Sequence, residues 1–255
     1  MSSNLFTTAD RDRVRDRVLA MARDDARVVA GAVLGSLAGG GGDRWSDLDL
    51  GFGLARGESA AGILADWTAV FEREFSALHL FDLPYRTSTY RVFLLPGQLQ
   101  LDVSFTPAED FGPLGPKFEL LFGEAAPRRT MPVPAAREML GMGVHHAMRA
   151  RFCIARGKYW QAEHWIHELR DLALTMACQR RGLETAHGRG FDALPPDVRA
   201  PMSGSLVRSP DATELLRALG ATIEGLVRES GAAGDLARRV EASLRELVTG
   251  VWPAG

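Results

Sequence analysis

The chain has 255 residues, 46% of them hydrophobic, and a formal net charge of −2. That is enough apolar material for one large core or two modest ones, and too little basic excess for a polynucleotide-binding surface. The longest uncharged stretch, Val28 to Gly42, falls short of the ~20 apolar residues of a membrane-spanning helix. The first residues mix Asp10, Arg11, Asp12, Arg13, Arg15, Asp16 and Arg17 without the apolar centre of a signal peptide. A cytoplasmic protein is therefore expected, with no membrane and no nucleic-acid partner.

Val14, Val18, Leu19 and Met21 predict an amphipathic helix over Asp10 to Asp24. Arg27 to Leu34 reads as a buried strand that ends at Gly35-Ser36. Ser36 opens a short helical turn, and Gly39 to Gly42 form a flexible loop. Ser46 to Phe52 then alternates as a second strand, with Asp47 and Asp49 on one side. A stripe of Ile63, Leu64, Trp67, Val70, Phe71 and Phe75 marks a helix over Ser59 to Leu78. Three more strands follow at Leu78 to Leu83, Thr89 to Leu95 and Leu99 to Phe105, the last two joined by a turn at Pro96-Gly97. Asp102 interrupts the core pattern of Leu101, Val103 and Phe105.

After Pro107 turn-makers concentrate, in Phe111 to Pro116 and Ala126 to Pro134. Beyond them Ala135 to Arg156, Tyr159 to Arg181, Asp211 to Glu229 and Gly234 to Val248 read as helices. Pro195, Pro196 and Pro201 interrupt a loosely structured connection between the second and third of these. The expected architecture is α+β: a domain over 1–110 with a small mixed sheet flanked by helices, a linker over 111–134, and an all-α bundle over 135–255. Cys153 and Cys178 fall in helical patterns among apolar neighbours and are expected to be buried thiols.

Two carboxylates on one strand face need a cation between them, and their hard oxygens suit magnesium, which keeps waters and takes phosphate oxygens. The Gly35-Ser36 turn would offer backbone N–H groups to the same phosphates. Asp102, on a neighbouring strand, would complete a triad able to hold two magnesium ions about 4 Å apart. Arg44 lies beside the proposed phosphates. Other motifs fail: there is no Walker loop, and Arg56 replaces the third glycine of a dinucleotide fingerprint that starts at Gly51. His164 and His167 are three apart instead of the zinc-protease four, and the adjacent His145 and His146 point apart.

Gly35, Ser36, Asp47, Asp49 and Asp102 together resemble the pattern of the DNA polymerase beta-like nucleotidyltransferase superfamily: a strand ending in Gly-Ser, roughly ten residues, Asp-x-Asp, then a third strand Asp. The resemblance covers about residues 27 to 106, and the helical region looks like the C-terminal domains of aminoglycoside and lincosamide nucleotidyltransferases. It implies transfer of AMP from ATP, or of another nucleoside monophosphate from its triphosphate, to a small hydroxylated acceptor, with Mg2+ and release of pyrophosphate. By the same resemblance Gly35 and Ser36 hold the triphosphate, Asp47 and Asp49 ligate both metals, and Asp102 meets the metal nearer the acceptor. Glu163, on the second predicted helix, looks most like the helical-domain glutamate that serves as general base in related enzymes. Lys158 and Tyr159, at the start of that helix, are candidate contacts for phosphate and for adenine or acceptor. The protein is expected as a monomer or homodimer. A second reading makes the first domain a nucleotide-binding, antitoxin-like module or a protein AMP-transferase, with a helical domain resembling the HEPN group through Arg181 and His187.

Overall fold

Alternation along two neighbouring strands decides which face of the sheet is buried. Leu48, Leu50, Phe52 and Leu54 share one face of their strand with Leu99, Leu101, Val103 and Phe105 of the next, and all eight are buried. Asp49, Gly51, Asp102, Ser104 and Thr106 face the other way, because successive side chains of a strand alternate.

The computed structural model describes residues 5–128 and 134–250. The chain divides into two compact units, Met1–Pro132 and Val133–Gly255. In the first, α1 (Thr8–Asp24) leads into β1 (Val28–Leu34), a 3-10 turn (Gly35–Gly40) and β2 (Leu48–Leu54). Then come α2 (Ala60–Phe75), the hairpin β3 (Leu78–Tyr85) and β4 (Ser88–Leu95), β5 (Leu99–Pro107) and β6 (Phe118–Phe122). The six strands form one mixed sheet in the order β3-β4-β5-β2-β1-β6, with β2 and β5 parallel and the other neighbours antiparallel.

Helix α1 begins earlier than the apolar spacing suggests because Thr7 and Asp10 form a reciprocal capping box. Its Val14, Val18, Leu19 and Ala22 join Ile63, Leu64, Trp67 and Phe71 of α2 on the leucine face of the sheet. Trp67 stands edge-on to Phe52 and Phe105, each at 5.1 Å between ring centroids. On the opposite face Phe111 packs against Ala30 and Ala32.

Two local expectations are corrected. Asp47 precedes β2 instead of lying within it, and the segment expected to be a linker supplies β6, which pairs with β1 from Leu34↔Phe118 to Gly31↔Phe122. A five-residue strand bounded by glycine and proline carries little periodicity, and only pairing with β1 fixes it. The 129–133 part of that linker lies outside the described residues.

The second unit is helical: α3 (Ala136–Ala155), α4 (Tyr159–Arg180), α5 (Pro196–Met202), α6 (Ala212–Glu229) and α7 (Asp235–Thr249). The stripes Leu140, Ala147 and Ala150, Ile166, Leu169 and Ala173, and Leu215, Leu219 and Ile223 meet in its core. The connection expected to be loose contains α5, which Pro196 starts from a first-turn position where a missing N–H costs nothing. Cys153 and Cys178 are buried free thiols. Among the described residues no helix is long and apolar enough to cross a membrane. The fold class is α+β, a mixed sheet with helices followed by a helical region.

Candidate active site

The parallel register of β2 and β5 sets Asp49 directly beside Asp102. Both stand on the face away from α1 and α2, at the start of β2 where the chain arrives from the glycine-rich turn. Asp47, one residue ahead of the strand, is close enough for its charge to act on Asp102. Burial first, and then the Asp47 charge, push the Asp102 carboxyl above the ordinary carboxylate range, while an N–H donated by the Gln100 amide at 3.0 Å partly offsets them.

Gly35 has φ of +64°, a left-handed backbone that residues with a side chain avoid. A Cβ there would stand 3.1 Å from Asp49 Cγ and run into its Oδ2. The missing side chain is therefore what lets the turn close onto the carboxylate. Beside it, Ser36 Oγ is buried without a hydrogen-bond partner. A buried hydroxyl without a partner, next in sequence to the glycine that meets Asp49, is a polar group that a ligand could satisfy.

The loop that delivers Asp47 is held by a residue the sequence pattern hides. Arg11 is 6% exposed, and its Nη1 donates to the Asp43 and Ser46 carbonyls at 2.7 and 2.9 Å. The readable signal is its place on the buried stripe of α1 with Val14 and Val18, where a cation has to find polar partners. Glu119 of β6 accepts the Gly39 N–H at 2.8 Å, so the loop expected to be flexible is tethered at that point. Tyr90 of β4 is half-buried on the carboxylate face; burial raises its phenol above the ordinary value, and the Tyr85 and Asp49 charges add to this. Arg44 stacks on exposed Trp45, its guanidinium carbon 4.1 Å from the ring centroid.

Glu163 and Lys158 belong to the second unit. Glu163 is half-buried on α4, and Lys158 is exposed immediately before it. His167 turns from Glu163 toward Arg170, 2.5 Å from Nδ1, and Asp171, 3.7 Å from Nε2. The adjacent His145 and His146 do not diverge as expected: both rings lie against Trp165, with centroids 5.9 and 5.2 Å away. Arg181 of the HEPN-like pair donates to the Ala177 carbonyl at 2.9 Å and to buried Glu229 at 3.0 Å, which Arg180 also contacts. That guanidinium is engaged in helix packing.

Among the described residues no three His, Cys, Asp or Glu side chains converge as a metal-binding group. The strand register brings Asp49 and Asp102 together, and magnesium characteristically keeps waters and completes its shell with substrate phosphate instead of an all-protein cage. The raised Asp102, the Asp47 charge beside it and the unpartnered Ser36 hydroxyl fit an ion that arrives with a polyphosphate.

No family model matches the sequence, and no curated protein matches it. Among solved structures, an aminoglycoside 6-adenyltransferase from Bacillus subtilis aligns over 91% of this chain and 96% of its own, with 14% sequence identity and a TM-score of 0.42.

Proposed function

We propose that this protein is a magnesium-dependent nucleotidyltransferase that moves AMP from ATP to a hydroxyl of a small molecule of the aminoglycoside or lincosamide type. The observation that carries it is the pairing of Asp49 with Asp102 across parallel strands, with Gly35 pressed against the Asp49 carboxylate. In the reaction the acceptor oxygen bonds to the α-phosphorus as the bond to the β-phosphate oxygen breaks, and pyrophosphate leaves. Asp47, Asp49 and Asp102 would hold Mg2+, which when bound offsets the charge of the triphosphate and favours ionisation of the acceptor hydroxyl. The Gly35-Ser36 turn orients the triphosphate through backbone N–H groups and the Ser36 hydroxyl. Asp102, at the acceptor side of the site, would take the acceptor's proton. Glu163 is proposed as a further base on the resemblance alone, and Arg44 and Lys158 as phosphate contacts from their places in the sequence.

The test is transfer of label from α-labelled ATP to a panel of hydroxylated compounds in the presence of magnesium. Asp49→Ala is expected to lower the rate by a factor of at least about a thousand with an unchanged circular dichroism spectrum. Normal turnover by that variant would sink the reading.

A further inference from the structure

Rows of side chains cross the sheet on the carboxylate face. Asp102 of β5 pairs with Val92 of β4, and Val92 with Phe81 of β3. One step along, Ser104 pairs with Tyr90, and Tyr90 with Leu83. Side chains directly opposite in a ladder share a face, so Phe81 and Leu83 stand on the same face as Asp102. They lie two strands away, about 10 Å. Tyr85, opposite Ser88, and Leu78, opposite Leu94, extend the strip.

All four are uncovered: Leu78 is 63%, Phe81 52%, Leu83 53% and Tyr85 38% exposed. Large apolar side chains gathered on one strand mark a binding surface. A second copy added along the edge of β3 is the first occupant to weigh, because β3 is outermost. Two features blunt that edge. Pro84 brings no N–H to a ladder, and the register slips between His79 and Phe81, both of which discourage strand addition. A small molecule lying across the face needs no ladder.

We propose that Phe81, Leu83 and Tyr90 are the acceptor platform: the acceptor lays an apolar face across β4 and β3 while its hydroxyl reaches Asp102. The assignment rests on the transferase reading and narrows it, since an apolar strip at that distance selects a hydroxylated molecule with a hydrocarbon face over an entirely polar polycation. Tyr90 sits between the strip and the carboxylates, so its ring supports the middle of such a molecule.

The experiment uses the full chain, its Phe81→Ser/Leu83→Ser double variant and Asp47→Ala. Each is titrated calorimetrically with lincomycin, which is hydroxylated and carries an alkyl-bearing ring, and with kanamycin, which is hydroxylated and lacks one. Each is also assayed for label transfer from α-labelled ATP. Lincomycin is expected to bind the wild type and Asp47→Ala alike, and the double variant about tenfold more weakly or worse. Kanamycin is expected to bind less tightly than lincomycin and to be indifferent to the double change. Equal lincomycin affinity for wild type and double variant would overturn the platform, as would no lincomycin binding at all. A wild-type dimer that the double variant converts to monomer in sedimentation would give the strip to a second copy. Strip-dependent binding without label transfer keeps the platform and removes the transferase reading. Label transfer with an acceptor KM unmoved by the double variant does the reverse.

Discussion

Gly35→Ala is the most informative single change, because it separates what the turn needs from what the carboxylate needs. At φ of +64° an alanine costs about 1–2 kcal/mol in backbone strain. The added methyl would also stand 3.1 Å from Asp49 Cγ and against its Oδ2, which forces the carboxylate off its rotamer for roughly another 1 kcal/mol. The expected loss is about 2–3 kcal/mol of unfolding free energy, read from urea denaturation by tryptophan fluorescence. Turnover is expected to fall about a hundredfold, since a displaced ligand loses the reacting geometry. Gly57→Ala supplies the comparison: its φ is +89°, yet nothing lies within 4 Å of the new Cβ. It is expected to lose only the backbone share, about 1–2 kcal/mol, with normal turnover. If Gly35→Ala loses no more stability than Gly57→Ala and turns over normally, the dependence of Asp49 on the missing side chain is refuted.

Arg11→Met keeps an unbranched apolar stem and removes two charge-assisted bonds to the Asp43 and Ser46 carbonyls; a loss of about 2 kcal/mol in urea unfolding is expected, together with a lower rate, and an unchanged midpoint would show that the loop before Asp47 does not need it. Asp25, gripped by the Arg27 guanidinium and by the Trp67 N–H at 3.0 Å, is held at about 2 against an ordinary 3.8. Its folded value lies below the unfolded one, so it contributes about 2 kcal/mol above pH 3.8 that is lost as pH falls toward 2. Asp25→Asn is expected to be less stable than wild type at pH 7 and to converge with it near the acid end, and parallel curves across that window would refute the assignment. Asp102→Asn removes a carboxylate that burial and Asp47 both disfavour, so the metal-free protein is expected to gain stability in urea while transfer is lost; a destabilised variant with full activity would reverse both conclusions.

The carboxylates of the proposed site stand out in the sequence because each signal is local. Gly-Ser after an apolar strand, Asp-x-Asp opening the next, and Asp102 breaking the pattern of Leu101, Val103 and Phe105 can each be read within a few residues. The helices of the second unit were legible for the same reason, their stripes being sustained over several turns. Arg11, Glu119, Tyr90 and β6 were not, because their roles depend on partners far along the chain. Arg11 meets carbonyls 32 and 35 residues away, and Glu119 meets an N–H 80 residues away.

By itself, then, the order of residues determined the longer helices, most of the strands and the α+β class, and it singled out the carboxylates of the proposed site, since short-range periodicity and turn chemistry encode those things. Only the tertiary structure decided that β2 and β5 run parallel with Asp49 beside Asp102, and that β3 shows Phe81 and Leu83 on that same face. Register between strands is set by packing the whole sheet against α1 and α2, and a slip of one residue would send every one of those side chains to the other face.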